Sequence, residues 1–158
     1  MEISSYRKYY LLGLIVLVIL IFQAIYGLPW TPLLELQNNQ IYKQVTGYIL
    51  FLMIGLQWYL GISRHKDKQF KNKIFWHKNV GLFLPIFFYI HAIQYGHAYQ
   101  ALIWTIFILN CATAYLSPDV IQLKFRLWRL SWFILHIALS STLTILLCYH
   151  LYIVYNYS

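Results

Sequence analysis

Apolar residues run almost unbroken over five stretches, residues 9–28, 45–62, 79–96, 99–116 and 131–154, with polar and charged residues collected between them. Each stretch is about long enough to cross a hydrocarbon core of ~30 Å as a helix. In lipid, a lone segment must satisfy its own backbone hydrogen bonds, which a helix does. The pattern therefore predicts an all-α fold: a polytopic membrane bundle of five transmembrane helices in a single domain, residues 1–158. Between the stretches, Gly27 to Lys43, with Pro29, Pro32, Asn38 and Asn39, reads as an outer loop. Its Leu33, Leu34 and Leu36 are expected to rest at the interface or to cover an outer cofactor. Residues 63–76 read as a hydrated inner loop, Gly96 to Gln100 as a short outer turn, and Ser117-Pro118-Asp119 as a helix start, since Asp caps and Pro is tolerated early. Pro85 falls inside the third stretch, where it should release a backbone hydrogen bond and bend the helix.

Charge placement orients the bundle. Twelve Lys and Arg stand against four Asp and Glu, a formal charge of +8. Arg7 and Lys8 precede the first stretch; Arg64, Lys66, Lys68, Lys71, Lys73 and Lys78 lie near the join of the second and third; Lys124, Arg126 and Arg129 lie between the fourth and fifth. Only Lys43 falls on the other side. The positive-inside rule then puts the N-terminus in the cytoplasm and Ser158 outside, which fits an odd number of spans in a plasma or inner membrane. Anionic lipid is a sufficient partner for these loops, and no nucleic acid is expected. The first apolar run exceeds the core of a signal peptide and lacks a small-x-small cleavage site, so it reads as a retained helix. Trp30, Trp76, Trp104, Trp128 and Trp132 sit near span ends, as interfacial tryptophans do. Cys111 and Cys148 are expected in opposite halves of the membrane as ordinary buried thiols. The sequence has no c-type haem attachment motif, zinc-type Cys/His cluster, dinucleotide-binding glycine fingerprint or phosphate loop.

The candidate chemistry lies in four histidines at matched intervals. His77 and His91 are fourteen residues apart on the third stretch or at its edge, and His136 and His150 are fourteen apart on the fifth. Fourteen residues is close to four helical turns, so each pair shares a face at a separation of about 21 Å. Ionisable residues within a span carry a functional reading by default. Both helices are odd-numbered and run in the same direction, so His77 can face His136 in an inner centre and His91 can face His150 in an outer one. A single zinc or copper ion cannot bridge pairs four turns apart, whereas imidazole is a haem axial ligand and a six-coordinate bis-histidine iron favours electron transfer. Gly81 and Ser140, four residues after the first histidine of each pair, are small enough to leave room for a porphyrin. Leu84, Phe88, Leu143 and Leu147 would fill the gap between the two centres. His65 reads as solvated, and His97 as a candidate contact for an outer propionate or acceptor. Lys73, Lys78, Arg126 and Arg129 could meet inner propionates, although orientation already accounts for them. Gln23 and Gln57, polar within the first two spans, could bond a haem, a quinone or another helix.

These residues carry a resemblance. Trp76-His77-Lys78-Asn79-Val80-Gly81 followed by His91-Ala92 resembles the histidine-basic-x-x-glycine element and second histidine of the ferric reductase-like transmembrane domain. That domain occurs in ferric-chelate reductases, NADPH oxidases and the haem membrane partner of periplasmic methionine sulfoxide reductase. The segment from Trp132 through His136 to His150 is similar to the family's second ligand helix, and the likeness covers roughly residues 44–155. It implies that His77, His91, His136 and His150 are the axial ligands of two b-type haems. Reductases and oxidases of the family generally add a sixth span leading to a flavin and nicotinamide domain, so this chain stands nearer the stand-alone haem subunits. Its electron donor is then expected to be a quinol or a separate flavoprotein, and its acceptor an extracytoplasmic molecule or partner protein. An inside-negative potential favours outward electron flow by about 2.3 kcal/mol per 100 mV. Two rival readings are a non-enzymatic haem-bearing anchor for a separate redox enzyme and a haem-free helical scaffold or transport component.

Overall fold

The structure, a computed structural model, describes residues 3–28, 30–63, 70–123 and 126–157. Six helices account for most of them: α1 Ile3–Tyr26, α2 Thr31–Asn38, α3 Gln40–Ser63, α4 Phe70–His91, α5 Tyr99–Tyr115 and α6 Arg126–Tyr157. No strand occurs among the described residues, so the all-α expectation holds. The basic run Arg64–Lys68 with His65, together with Lys124, Pro29 and Ser158, lies outside them.

Among the described residues, two helices are long and apolar enough to cross a membrane: α3, and residues Leu127–Asn156 of α6. A third crossing is reached when Tyr10–Tyr26 and Thr31–Asn38, bent by 79°, count as one broken span. The other two expected spans fall short for different reasons. α5 has 17 residues. α4 opens on a polar turn containing Lys71, Asn72 and Lys73 and carries His77 and Lys78 just beyond. Along the qualifying helices, large apolar side chains face outward, with Leu52 at 71% and Ile145 at 70% exposure. Such surface is a liability in water and is what a lipid-facing helix requires.

The expected outer loop from Gly27 to Lys43 is instead mostly helical. α1 ends where Gly27 takes a left-handed φ of +59°, and the Leu28 N–H reaches back to the Gln23 carbonyl at 3.3 Å in a Schellman-type closure. α2 then carries Pro32 in its first turn, where a missing N–H costs nothing. Leu33 and Gln37, one turn apart on one face, are its buried residues. Asn39 caps α3, its Oδ1 accepting from the Tyr42 N–H at 3.2 Å. Of the residues read as loop markers, Pro32 is thus part of a helix start and Asn39 a cap, while Asn38 ends α2. A second correction concerns Ser117-Pro118-Asp119. Only one turn forms there, with the N–H groups of Val120 and Ile121 on the Ser117 carbonyl, and α6 begins at Arg126.

The chain divides into two compact units, Val18–Gln94 and Met1–Leu17 with Tyr95–Ser158. In the first, α3 packs on α4 and α2 on α3. Gly47 lies by His91 and Gly61 by His77, so α3 and α4 are antiparallel. In the second, α5 packs on α6. Thr113 meets Trp132, Asn110 meets Ser140 and Tyr99 meets Tyr149, so this pair is antiparallel as well. The buried face of α5, Ile103, Trp104, Phe107, Cys111 and Tyr115, recurs at three- and four-residue steps. Trp104 is therefore a core residue, against the interfacial expectation. Cys148 is exposed while Cys111 is buried, and both are free thiols.

Candidate functional site

On α4, His77 stands two turns from the start and His91 is the last residue. Pro85 lies between them, buried within the helix. Each imidazole is tied to α3 by its Nδ1. His77 Nδ1 is 3.2 Å from the Gln57 backbone oxygen. A carbonyl only accepts, so Nδ1 carries the proton. Gln57 answers with its own side chain, Nε2 donating to the His77 carbonyl at 3.0 Å. His91 Nδ1 lies 3.1 Å from Thr46 Oγ1. That hydroxyl already donates to the Tyr42 carbonyl at 2.8 Å, so it accepts from His91 Nδ1–H. Both rings are thus placed with Nδ1 turned toward an acceptor on α3. Metal-ligating histidines show the same arrangement, in which the second nitrogen is held by an outer partner that fixes ring orientation.

Two glycines of α3 complete this geometry. A Cβ on Gly47 would stand 3.0 Å from His91 Cε1, and one on Gly61 would stand 3.9 Å from His77 Cε1. The two glycines are fourteen residues apart, the same interval as the histidines they meet. This repeat stands in the sequence itself and is the signal that a search for charged and polar residues passes over. Gly81, expected to leave space for a porphyrin, lies by the Gln57 amide, whose Nε2 would be 3.6 Å from an added Cβ.

α6 carries the other pair. The His136 ring stacks on Trp132, one turn earlier, with centroids 5.6 Å apart and planes 4° from parallel. Trp132 is itself fixed by donating from Nε1 to the Thr113 carbonyl at 2.7 Å. His150 meets the Tyr99 ring at 5.9 Å, tilted by 44°. Its Nδ1 is buried and has no hydrogen-bond partner among the described residues. A buried imidazole nitrogen in that state is the kind of exception that a missing ligand explains. Ser140 Oγ donates to Asn110 Oδ1 at 3.1 Å, tying α6 to α5.

Leu84, Phe88 and Leu143 are buried, and Leu147 is half-buried. Gln23 donates to the Leu28 carbonyl and to the Tyr89 hydroxyl, and Gln57 bonds α4, so both glutamines bond protein. Lys73 lies over the Tyr59 ring at 5.6 Å. His97 is exposed just before α5. Among the described residues, no three His, Cys, Asp or Glu converge as a metal-ion site. A bis-histidine iron, drawing two protein ligands, does not require such a group.

Fold and site define a class: a protein all-α among the described residues, with two helices long and apolar enough to cross a membrane and two histidine pairs at a common interval. Comparison with family models, curated proteins and solved structures finds no match to this chain.

Proposed function

We propose that this chain is a transmembrane di-haem cytochrome b, anchored as a multi-pass protein in a plasma or inner membrane. It would move electrons from a cytoplasmic or quinol donor to an extracytoplasmic acceptor in the manner of the ferric reductase-like domain. The reading rests on one observation: four histidines in two pairs at a fourteen-residue interval on apolar segments. The Nδ1 contacts of His77 and His91 to α3 support it, since an outer partner on one ring nitrogen fixes the orientation of a ligating imidazole. Each iron would take one imidazole from α4 and one from α6, His77 with His136 and His91 with His150. Bound haem would supply one-electron iron chemistry, and holding its iron with two imidazoles would leave no open position for a small ligand. The remaining work belongs to the chain. Gln57 and Thr46 hold the α4 rings and Trp132 stacks on His136, while Leu84 and Phe88 on α4 and Leu143 on α6 are each buried.

The deciding experiment is a reduced-minus-oxidised spectrum with haem quantification on chain expressed with adequate haem supply. Two b-type haems per chain are expected. A folded, haem-free chain would favour the scaffold reading and remove this one. A finer test is Thr46→Val, which keeps the shape of the side chain and deletes the oxygen under His91. It is expected to weaken haem retention at one of the two centres by about 10–100-fold, as loss of an outer-shell partner does. Competition with a haem-scavenging apoprotein measures that loss.

A further inference from the structure

The end of α4 that carries His91 is closed by a single buried amide from α2. Gln37 is only 5% exposed. Its Nε2 donates to the carbonyls of Tyr89 at 3.0 Å and Ile90 at 2.9 Å. Its Oε1 accepts from the Ile93 N–H at 3.0 Å. A helix leaves its last four carbonyls without intrahelical donors. Here the Phe88 carbonyl is met by the Ala92 N–H at 2.8 Å, and the next two are met by Gln37, with the Tyr42 hydroxyl adding a bond to Ile90 at 3.2 Å. One side chain thus binds the backbone on both sides of His91. Pro85, six residues earlier, has no N–H to give to residue 81, so the ladder between the two halves of α4 lacks a rung. The His91 half depends correspondingly more on contacts from outside the helix.

We infer that Gln37 is a positioning residue for His91, fixing the last turn of α4 and with it the depth and orientation of the imidazole, separately from His77. This rests on the proposal that His91 ligates haem iron. Ring orientation and outer-shell hydrogen bonding tune a histidine-ligated iron, so the clamp acts on the properties of one centre and leaves the other alone.

The test compares wild type with Gln37→Met, which keeps the length of the side chain and removes both polar atoms, and with the milder Tyr42→Phe. Two measurements are made on the haem-loaded chain in detergent or nanodiscs: a redox titration resolving both centres, and amide hydrogen exchange at Ile93. Gln37→Met is expected to shift the midpoint of the centre that His91→Ala abolishes, leave the other at its wild-type value, and speed Ile93 exchange about tenfold or more. Tyr42→Phe should move the same centre by a smaller amount. Faster exchange with both midpoints unmoved, or with both moved equally, would make Gln37 a purely structural cap and overturn the inference. If Gln37→Met does not accumulate as folded protein, the Tyr42→Phe titration decides alone. A wild type without haem removes the functional proposal and this inference together. A di-haem wild type with unmoved variants removes only the inference.

Discussion

Changing His77 to alanine is expected to abolish one of two haem centres and leave the other in place, and His136→Ala should abolish the same one. His91→Ala and His150→Ala should abolish its counterpart. Each loss follows from removing one of two axial ligands in a setting where water is a poor replacement and the partner imidazole is left without iron. Haem content should fall from two to about one per chain, because the second site keeps both of its ligands. Reduced-minus-oxidised spectra with redox titration of the four variants measure this directly. A different grouping, such as His77 with His91, would mean that the common interval has another cause. His97→Ala is the control, since this histidine is exposed outside the helices and should leave both centres intact.

Substitution at Gly47 should have the next largest effect. A methyl there would already meet His91 Cε1 at 3.0 Å, Nδ1 at 3.5 Å and Nε2 at 3.6 Å. Valine has to displace the ring or push α3 away from α4, an overpacking that typically costs about 1–3 kcal/mol. Gly47→Val is therefore expected to lower the unfolding temperature and to lose haem from the His91 centre. Gly55 lies on the same helix, and a methyl added there would find nothing within 4 Å. Gly55→Ala should be neutral, or stabilising by up to about 0.5–1 kcal/mol, since alanine is the better helix former. Thermal unfolding with haem quantification of both variants separates a packing effect from a general intolerance of side chains on α3. Equal behaviour of the two would refute the packing account.

The helical class and the common spacing of the four histidines were legible because both depend on patterns local to each segment. Long apolar runs leave the chain few options in lipid, and a fourteen-residue interval maps onto one helix face without knowledge of its neighbours. Boundaries were less legible. Lys71 and Lys73 suggested water, yet a helix can begin at the interface because long basic side chains in general carry their charges outward, and α4 accordingly starts at Phe70. α2 was hidden because Pro32 and Asn39 have two meanings, as loop formers and as helix terminators or starters. Only the leucines and Gln37 between them choose, by having something to pack against. Of the outer partners, Gln57 was open in the sequence as a bond to another helix, but its pairing with His77 was not legible, nor was that of Thr46 with His91. Thr46 meets His91 and Gln57 meets His77 because α3 lies antiparallel on α4 in one register, and a slide of one turn would exchange those partners for others. Gly47 and Gly61 did repeat the histidine interval, so the register left a trace in the sequence that became readable only with the contacts in hand.

Antiparallel packing also gives each imidazole of α4 its own local environment. His91 answers to Gly47, Thr46 and the Gln37 clamp, and His77 answers to Gly61 and Gln57. No residue is common to the two sets, and the sets lie about 21 Å apart along the helix. Energetic effects at such separations combine nearly additively. Selection, or an engineer, can therefore retune one end of α4 without renegotiating the other, and the difference between the two ends becomes an adjustable quantity in its own right.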